Sequence, residues 1–359
     1  MKEFVYQGRT PRVVFGAGSL AHLERELDLI GARRALVLST PGQARYAEQI
    51  AERIGARAAG IFARAVMHVP IETAREARAE ARRLGADCAI AIGGGSTTGL
   101  GKAIAMDSGL PVLAIPTTYA GSEMTPIYGI TEGGLKKTGS DPRVLPRTVI
   151  YDPLLTLGLP VAVSITSGMN AIAHAAEGLY ARDANPVSSL MAEEGIRALA
   201  GALPAIRKRP DDAEARGDAL YGAWLCGTVL GSVGMALHHK LCHTLGGSFG
   251  LPHAEVHTVV LPQAIRFNAG AAPDAMARIA RALGAGAEAG GAAAALFDLA
   301  RDNGAPVALR DIGMKEADLD RAAEIAVANP YWNPREIGPA QRDEVRRLLQ
   351  DAFEGVRPG

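Results

Sequence analysis

Residues 88–96 read Cys-Ala-Ile-Ala-Ile-Gly-Gly-Gly-Ser, an unbroken apolar run that ends in three glycines and a serine. Such a run is the pattern of a strand buried on both faces, and the helix-like segment Thr97–Met106 behind it makes the glycines a strand-to-helix connection. Glycines let a backbone approach a pyrophosphate, and the N–H groups at a helix start favour negative charge. A tight turn without a ligand accounts for the same residues, and the P-loop spacing is not met. Outward from this stretch the alternation continues. Apolar runs at Glu3–Tyr6, Arg12–Phe15, Arg34–Ser39, Gly60–Phe62, Val112–Ile115 and Thr148–Tyr151 are interleaved with helical patterns at Ser19–Ile30, Ala44–Ile54 and Ile71–Leu84. This predicts an α/β domain over 1–153 with a Rossmann-like, mostly parallel sheet, which binds ligands at the carboxyl ends of its strands.

Other turns of this half compete for the same ligand. Gly16-Ala-Gly-Ser-Leu-Ala21 fits the loose G-x-G-x-x-A fingerprint, but the next strand ends in Ser39-Thr40, where the ribose-binding acid should stand. Pro116-Thr-Thr-Tyr-Ala-Gly-Ser-Glu123 places hydroxyls after the strand that follows the triple glycine. Lys136 and Lys137, in a Gly-flanked turn, can reach a phosphate or ribose, and a solvated pair is an equal reading.

From Leu154 the pattern becomes helical, and the boundary is set near Asp152-Pro153. The segments 166–182, 187–203, 213–232, 234–245, 255–269, 274–283, 291–303 and 341–356 read as helices, which predicts an all-α domain over 154–359. Gly284–Ala295 reads as a flexible link without chemistry. Asn329-Pro-Tyr-Trp-Asn-Pro-Arg335 is a rigid aromatic loop that either faces a pocket or caps helices.

Gly234–Pro262, GMALHHKLCHTLGGSFGLPHAEVHTVVLP, holds five of the eight histidines. His239 and His243 share one helix face, and His253 follows a Gly-Gly turn and a proline. Ser167–Glu177, SGMNAIAHAAE, repeats the spacing with Asn170 and His174. Nitrogen ligands converging from two helices suit a metal or a proton-transfer site, whereas isolated interior histidines would be inert.

Composition narrows the class. Lys plus Arg equals Asp plus Glu at 38 each, so no charge excess draws the 359-residue chain to nucleic acid or an anionic membrane. No stretch reaches membrane-spanning length, and no signal pattern is present. Three cysteines without CxxC spacing fit a reducing cytoplasm.

The ordered set GGGS, PTT…GSE, SGMNAIAHAAE and HHKLCHTLGGSFGLPHAEVHTVVLP resembles the iron-containing (group III) alcohol dehydrogenase family over nearly the whole chain. The resemblance implies a dehydroquinate synthase-like architecture, a nucleotide-binding domain followed by a helical catalytic domain. It implies NAD(P) phosphates at Gly94, Gly95 and Ser96, with Thr117, Thr118 and Ser122 nearby, and a homodimer in many members. It implies a divalent metal on one Asp and three His. The histidine positions are His174, His239 and His253, but the acid position is Asn170 here, a poorer ligand for a hard cation. His243 takes the place of a non-ligating histidine near the nicotinamide. Asn170, HHKLCH and the NPYWNPR loop resemble one branch, the maleylacetate reductases, which reduce the C=C bond of maleylacetate to 3-oxoadipate in aromatic degradation. That branch implies no required metal, and the missing acid at Ser39 fits use of NADH or NADPH. His243, His239 and His253 are then the expected donors to the developing charge, with His243 the proton donor. Arg335 and Lys240 are candidate clamps for a dicarboxylate substrate. Three rivals stand beside this: a metal-dependent alcohol dehydrogenase using Asn170 as a weak ligand, a dehydroquinate synthase-like cyclase, and a non-enzymatic binder of nucleotide or metal. The cyclase needs a cationic phosphate pocket, which Leu237–Val260 with few Lys or Arg does not provide.

Overall fold

A computed structural model describes residues 3–8, 10–133, 135–286 and 291–359, without the side chains of Leu135 and Lys136. Part of the Gly- and Ala-rich stretch, 287–290, therefore lies outside the described residues. The chain divides into two compact units, Arg9–Leu159 and Pro160–Gly359, the latter joined by the N-terminal residues up to Gly8.

The first unit runs β1 (Arg12–Phe15), α1 (Leu23–Leu29), β2 (Ala35–Leu38), α2 (Ala44–Ile54), β3 (Ala58–Phe62), α3 (Ile71–Arg83), β4 (Cys88–Gly93), α4 (Gly95–Ser108), β5 (Val112–Pro116), β6 (Ile127–Glu132), β7 (Leu135–Ser140) and β8 (Thr148–Tyr151). Six strands form one sheet in the order β1-β8-β5-β4-β2-β3, every pair parallel. Alternation along each strand feeds two cores. Val37, Ile90, Ile92 and Ile150 pack with Leu23, Leu27 and Ile50 from α1 and α2. Leu36 and Leu38 pack with Ala74, Ala77, Leu100 and Ile104 from α3 and α4. Both faces are thus covered, which is why β4 and β5 are apolar at every position.

Two expectations are corrected here. Glu3–Tyr6 forms no strand, and its residues are exposed. The Gly-flanked lysine turn is the second strand of an antiparallel hairpin, β6–β7, in which Lys137 pairs with Ile130.

The second unit runs α5 (Val161–Leu179), α6 (Pro186–Lys208), α7 (Ala213–Ser232), α8 (Leu237–Phe249), α9 (His253–Asn268), α10 (Pro273–Ala282), α11 (Gly291–Asp302), α12 (Leu319–Ala328) and α13 (Arg342–Glu354). Helix α12 falls where no helical segment is expected from the periodicity. Helix α5 is buried continuously from Ser164 to Leu179, as its nearly uniform small and apolar composition demands. Gly178 allows α7 close: a Cβ there would stand 2.2 Å from Val229 Cγ1. Among the described residues no single helix is long and apolar enough to cross a membrane, and the apolar pair α7–α8 is bent by 97°.

Candidate active site

The sheet order creates a switch point. From β2 the chain proceeds to its neighbour β3, whereas from β4 it proceeds to β5 on the opposite side. Parallel sheets bind ligands outside the carboxyl ends of such strands. Ser39 follows β2, Gly94 to Ser96 follow β4, and Thr117 and Thr118 follow β5. Gly93 has φ +148, and a Cβ on it would meet Thr97 Oγ1 at 2.5 Å and Gln43 Oε1 at 2.8 Å. At Gly94 a Cβ would press on Thr118 Cγ2 at 3.0 Å. The first amides of α4 have no side-chain cap, and the hydroxyls of Ser39 and Thr97 are buried without a hydrogen-bond partner. Gln43 Nε2 donates to Thr117 Oγ1 at 2.8 Å. Bare backbone, an uncapped helix start and unused hydroxyls fit a dinucleotide's phosphates and ribose.

Ser122 stands where Lys102 fixes it. The buried ammonium donates to Ser122 O at 2.6 Å, Ile127 O at 2.7 Å and Thr125 Oγ1 at 2.9 Å. Burial pulls this lysine down to about 7, opposed by the charge of Glu123. Lys102 was not singled out by the sequence reading, because a lysine inside an apolar helix pattern resembles a surface residue.

The other glycine turn is already occupied by the protein itself. Gly18 N donates to Asp152 Oδ1 at 3.0 Å and Leu20 N to Oδ2 at 3.1 Å. The anion at GAGSLA is thus an internal carboxylate, and these amides do not serve a phosphate. Lys137 pairs with Glu132 at 2.8 Å with 70% of its side chain exposed, on the hairpin rather than after β4 or β5.

In the second unit, Asn170 and His174 of α5 meet His239 of α8. Glu177, one turn beyond His174, organises them. Its carboxylate accepts from Ala236 N at 2.8 Å, His238 N at 2.8 Å, His239 N at 3.3 Å and His239 Nδ1 at 2.7 Å. Helix α8 has no cap of its own at Ala236, so Glu177 both caps it and orients His239. With Nδ1 donating to the carboxylate, His239 Nε2 accepts. It lies 2.9 Å from His174 Nδ1, which therefore donates. His174 Nε2 is left to accept from Asn170 Nδ2 at 3.4 Å. The chain Asn170→His174→His239→Glu177 has every donor pointing the same way.

This arrangement tests the metal that the resemblance implies. The facing nitrogens of His174 and His239 bond each other directly, and an amide replaces the acid. His253 begins α9 with its ring 4.5 Å from His257. Among the described residues the one trio of candidate ligand atoms within 4.8 Å is His238, Cys242 and His257, not the expected set. As arranged, Asn170, His174, His239 and His253 do not fit a divalent ion.

His243 lies a turn beyond His239, ring centroids 6.1 Å apart. Its Nδ1 is 2.9 Å from Tyr331 Oη, and Lys240 stands 5.8 Å from the Tyr331 ring. Burial lowers the Lys240 ammonium. The NPYWNPR loop thus both faces His243 and caps α8, since Leu237 N donates to Asn333 Oδ1 at 3.4 Å. Arg335 is engaged elsewhere, bonded to Glu344 and stacked 4.2 Å over Phe267.

The profile of iron-containing alcohol dehydrogenases matches residues 10–153, and that of the C-terminal part of the Fe-containing alcohol dehydrogenase family matches 164–353. A maleylacetate reductase of Burkholderia cepacia is 64% identical, with 100% of both chains covered. The crystal structure of maleylacetate reductase from Agrobacterium tumefaciens is 56% identical over 100% of both chains, with TM-score 0.94. That of an iron-containing alcohol dehydrogenase from Corynebacterium glutamicum is 42% identical over 99% of this chain and 98% of that one, with TM-score 0.93. The chain belongs to the iron-containing alcohol dehydrogenase family.

Proposed function

We propose that this chain reduces the C=C bond of maleylacetate to 3-oxoadipate with NADH or NADPH, and that it does so without a metal. The unit Arg9–Leu159 is the nucleotide-binding domain and the unit Pro160–Gly359 the catalytic domain of a cytoplasmic homodimer. The observation that carries the reading is the Asn170→His174→His239→Glu177 chain, which spends the ligand nitrogens on one another. The relatives at 64% and 56% identity support the substrate.

When bound, a reduced nicotinamide dinucleotide would supply a hydride to the alkene carbon β to the substrate ketone. Charge then gathers on the ketone oxygen as an enolate. An enolate is less basic than the alkoxide of simple carbonyl reduction, so hydrogen-bond donors can replace a Lewis acid. His239, expected as a donor, has both ring nitrogens engaged, Nδ1 by Glu177 and Nε2 by His174, so it holds the polar chain in place, and His253 remains the candidate donor beside His243. As the imidazolium, His243 donates its Nδ1 proton to Tyr331 Oη and delivers its Nε2 proton to the α carbon, which leaves the ring neutral. Lys240 attracts a substrate carboxylate, because Arg335 is already bound to Glu344. Gly94, Gly95, Ser96, Thr117, Thr118, Ser39 and Ser122 hold the dinucleotide.

The retained histidines and the family's usual iron favour one rival, a metal-dependent alcohol dehydrogenase. NADH oxidation followed at 340 nm with maleylacetate, before and after exhaustive EDTA treatment, separates the two. Equal activity is expected. Activity lost to chelation and restored by Zn²⁺ or Fe²⁺ would return the metal to Asn170, and no activity with maleylacetate in either sample would remove the substrate assignment.

A further inference from the structure

The trio that does converge lies beside the proposed catalytic residues and has no part in the chemistry above. His238 and Cys242 are four apart on α8, so both project from one face of that helix. His257 reaches them from α9. All three are buried. His238 Nε2 is 2.9 Å from His257 Nδ1 and 3.5 Å from Cys242 Sγ. One ligand atom from each residue lies within 4.8 Å of the others. His257 Nε2 is buried with no hydrogen-bond partner. The nitrogens that would ligate are the facing pair, His238 Nε2 and His257 Nδ1: a cation takes the place of the proton they share, and that proton moves to the ring nitrogen on the far side.

We propose that His238, Cys242 and His257 form a site for a thiophilic d10 cation, zinc or monovalent copper, separate from the Asn170, His174, His239 and His253 set. One thiolate with two imidazoles is the donor chemistry of these ions and not of hard divalent cations. In a zinc site with bonds of about 2.0 Å to nitrogen and about 2.3 Å to sulfur, ligand nitrogens stand about 3.3 Å apart and nitrogen and sulfur about 3.5 Å. The Cys242–His238 separation already has that value, the imidazoles would part by a few tenths of an ångström, and His257 and Cys242 lie within 4.8 Å of each other. Binding releases the Cys242 thiol proton to solvent, and the thiolate takes its place as ligand. With monovalent copper the site is then neutral, which suits its burial. With zinc it carries one positive charge, near the carboxylate of Glu177. The ion would clamp α8 to α9, the helices that carry His239, His243 and His253.

The test uses the full-length enzyme, stripped with chelator and then given one equivalent of Zn²⁺, or of Cu⁺ under argon. Retained metal, its X-ray absorption spectrum and the melting temperature are measured. One equivalent of at least one ion should survive gel filtration, with one sulfur and two imidazoles in its shell and a raised Tm. Which ion does so identifies the cation. Cys242→Ser should weaken that retention at least tenfold, and His253→Ala should leave it intact. No retention, a shell without sulfur, unchanged retention in C242S, or loss in H253A instead would each overturn the proposal. If C242S does not fold, the wild-type shell decides, because Cys242 is the cysteine that has two imidazoles within reach.

Discussion

At the residue scale the second unit depends on Glu177. A buried carboxylate serves three backbone amides and one imidazole, and it sits at the start of α8, where the helix dipole favours an anion. Glu177→Gln keeps the shape but halves the acceptor capacity and removes the charge. We expect a stability loss of about 3 kcal/mol, since bonds to charged groups contribute about 1.5–3 kcal/mol each and a carboxamide recovers part of that. Turnover should fall with it, because His239 loses the acceptor that sets its tautomer. Urea denaturation and kcat measured on the same preparation check both, and a variant as stable as the parent would show that α8 needs no cap from α5. The His174 and Asn170 spacing was legible in the sequence because it is local. Glu177 stood in the same quoted stretch but was passed over, because its partners lie 59 to 62 residues away.

At the element scale the turn from β4 to α4 is built from backbone. Gly94→Ala leaves an ordinary backbone conformation but presses on Thr118, Cγ2 at 3.0 Å and Oγ1 at 3.1 Å. The side chain would also enter the space where backbone meets phosphate. The expected result is NADH affinity weakened about tenfold, or about 1.4 kcal/mol, with little change in Tm; fluorescence titration and thermal melting read the two apart. An unchanged Kd would move the phosphates away from this turn. Most elements were legible from apolar periodicity, and β8, α2 and α7 match the sequence reading residue for residue. The β6–β7 hairpin was not. Its strands are largely polar and half-exposed, so alternation is faint, and its glycines and lysines read as a turn. Glu3–Tyr6 erred the other way: a short apolar run is a strand only where a neighbouring strand accepts its hydrogen bonds.

At the scale of the whole molecule, equal numbers of acids and bases leave pH stability to a few buried groups. Burial first, and neighbouring imidazoles second, hold His238 and His257 well below 6.5. The unfolded chain takes up both protons near pH 6.5, and the folded chain does not. Stability from this source is therefore complete above about pH 6.5 and falls as pH drops toward the folded values, by about 1.4 kcal/mol per pH unit for each imidazole. The urea midpoint should be lower at pH 5.5 than at pH 7.5, and His257→Gln should flatten the slope. A midpoint that does not move would mean that these imidazoles charge in the folded state.

The sequence by itself determined the layer order and the candidate chemistry. Apolar periods of two and of 3.6 residues are local, and so are Gly-rich turns and His pairs four apart. Tertiary structure decided which of these features are used. Two glycine turns looked alike, and only the fold shows that Asp152 fills one while the other keeps its amides and hydroxyls unspent. Four metal-like positions were written in the chain, and only the packing of α5 on α8 shows His174 bonded to His239 instead of both facing an ion. The physical reason is the same in each case. A polar group's role is set by the partner that satisfies it when water is excluded, and that partner comes from a distant part of the chain.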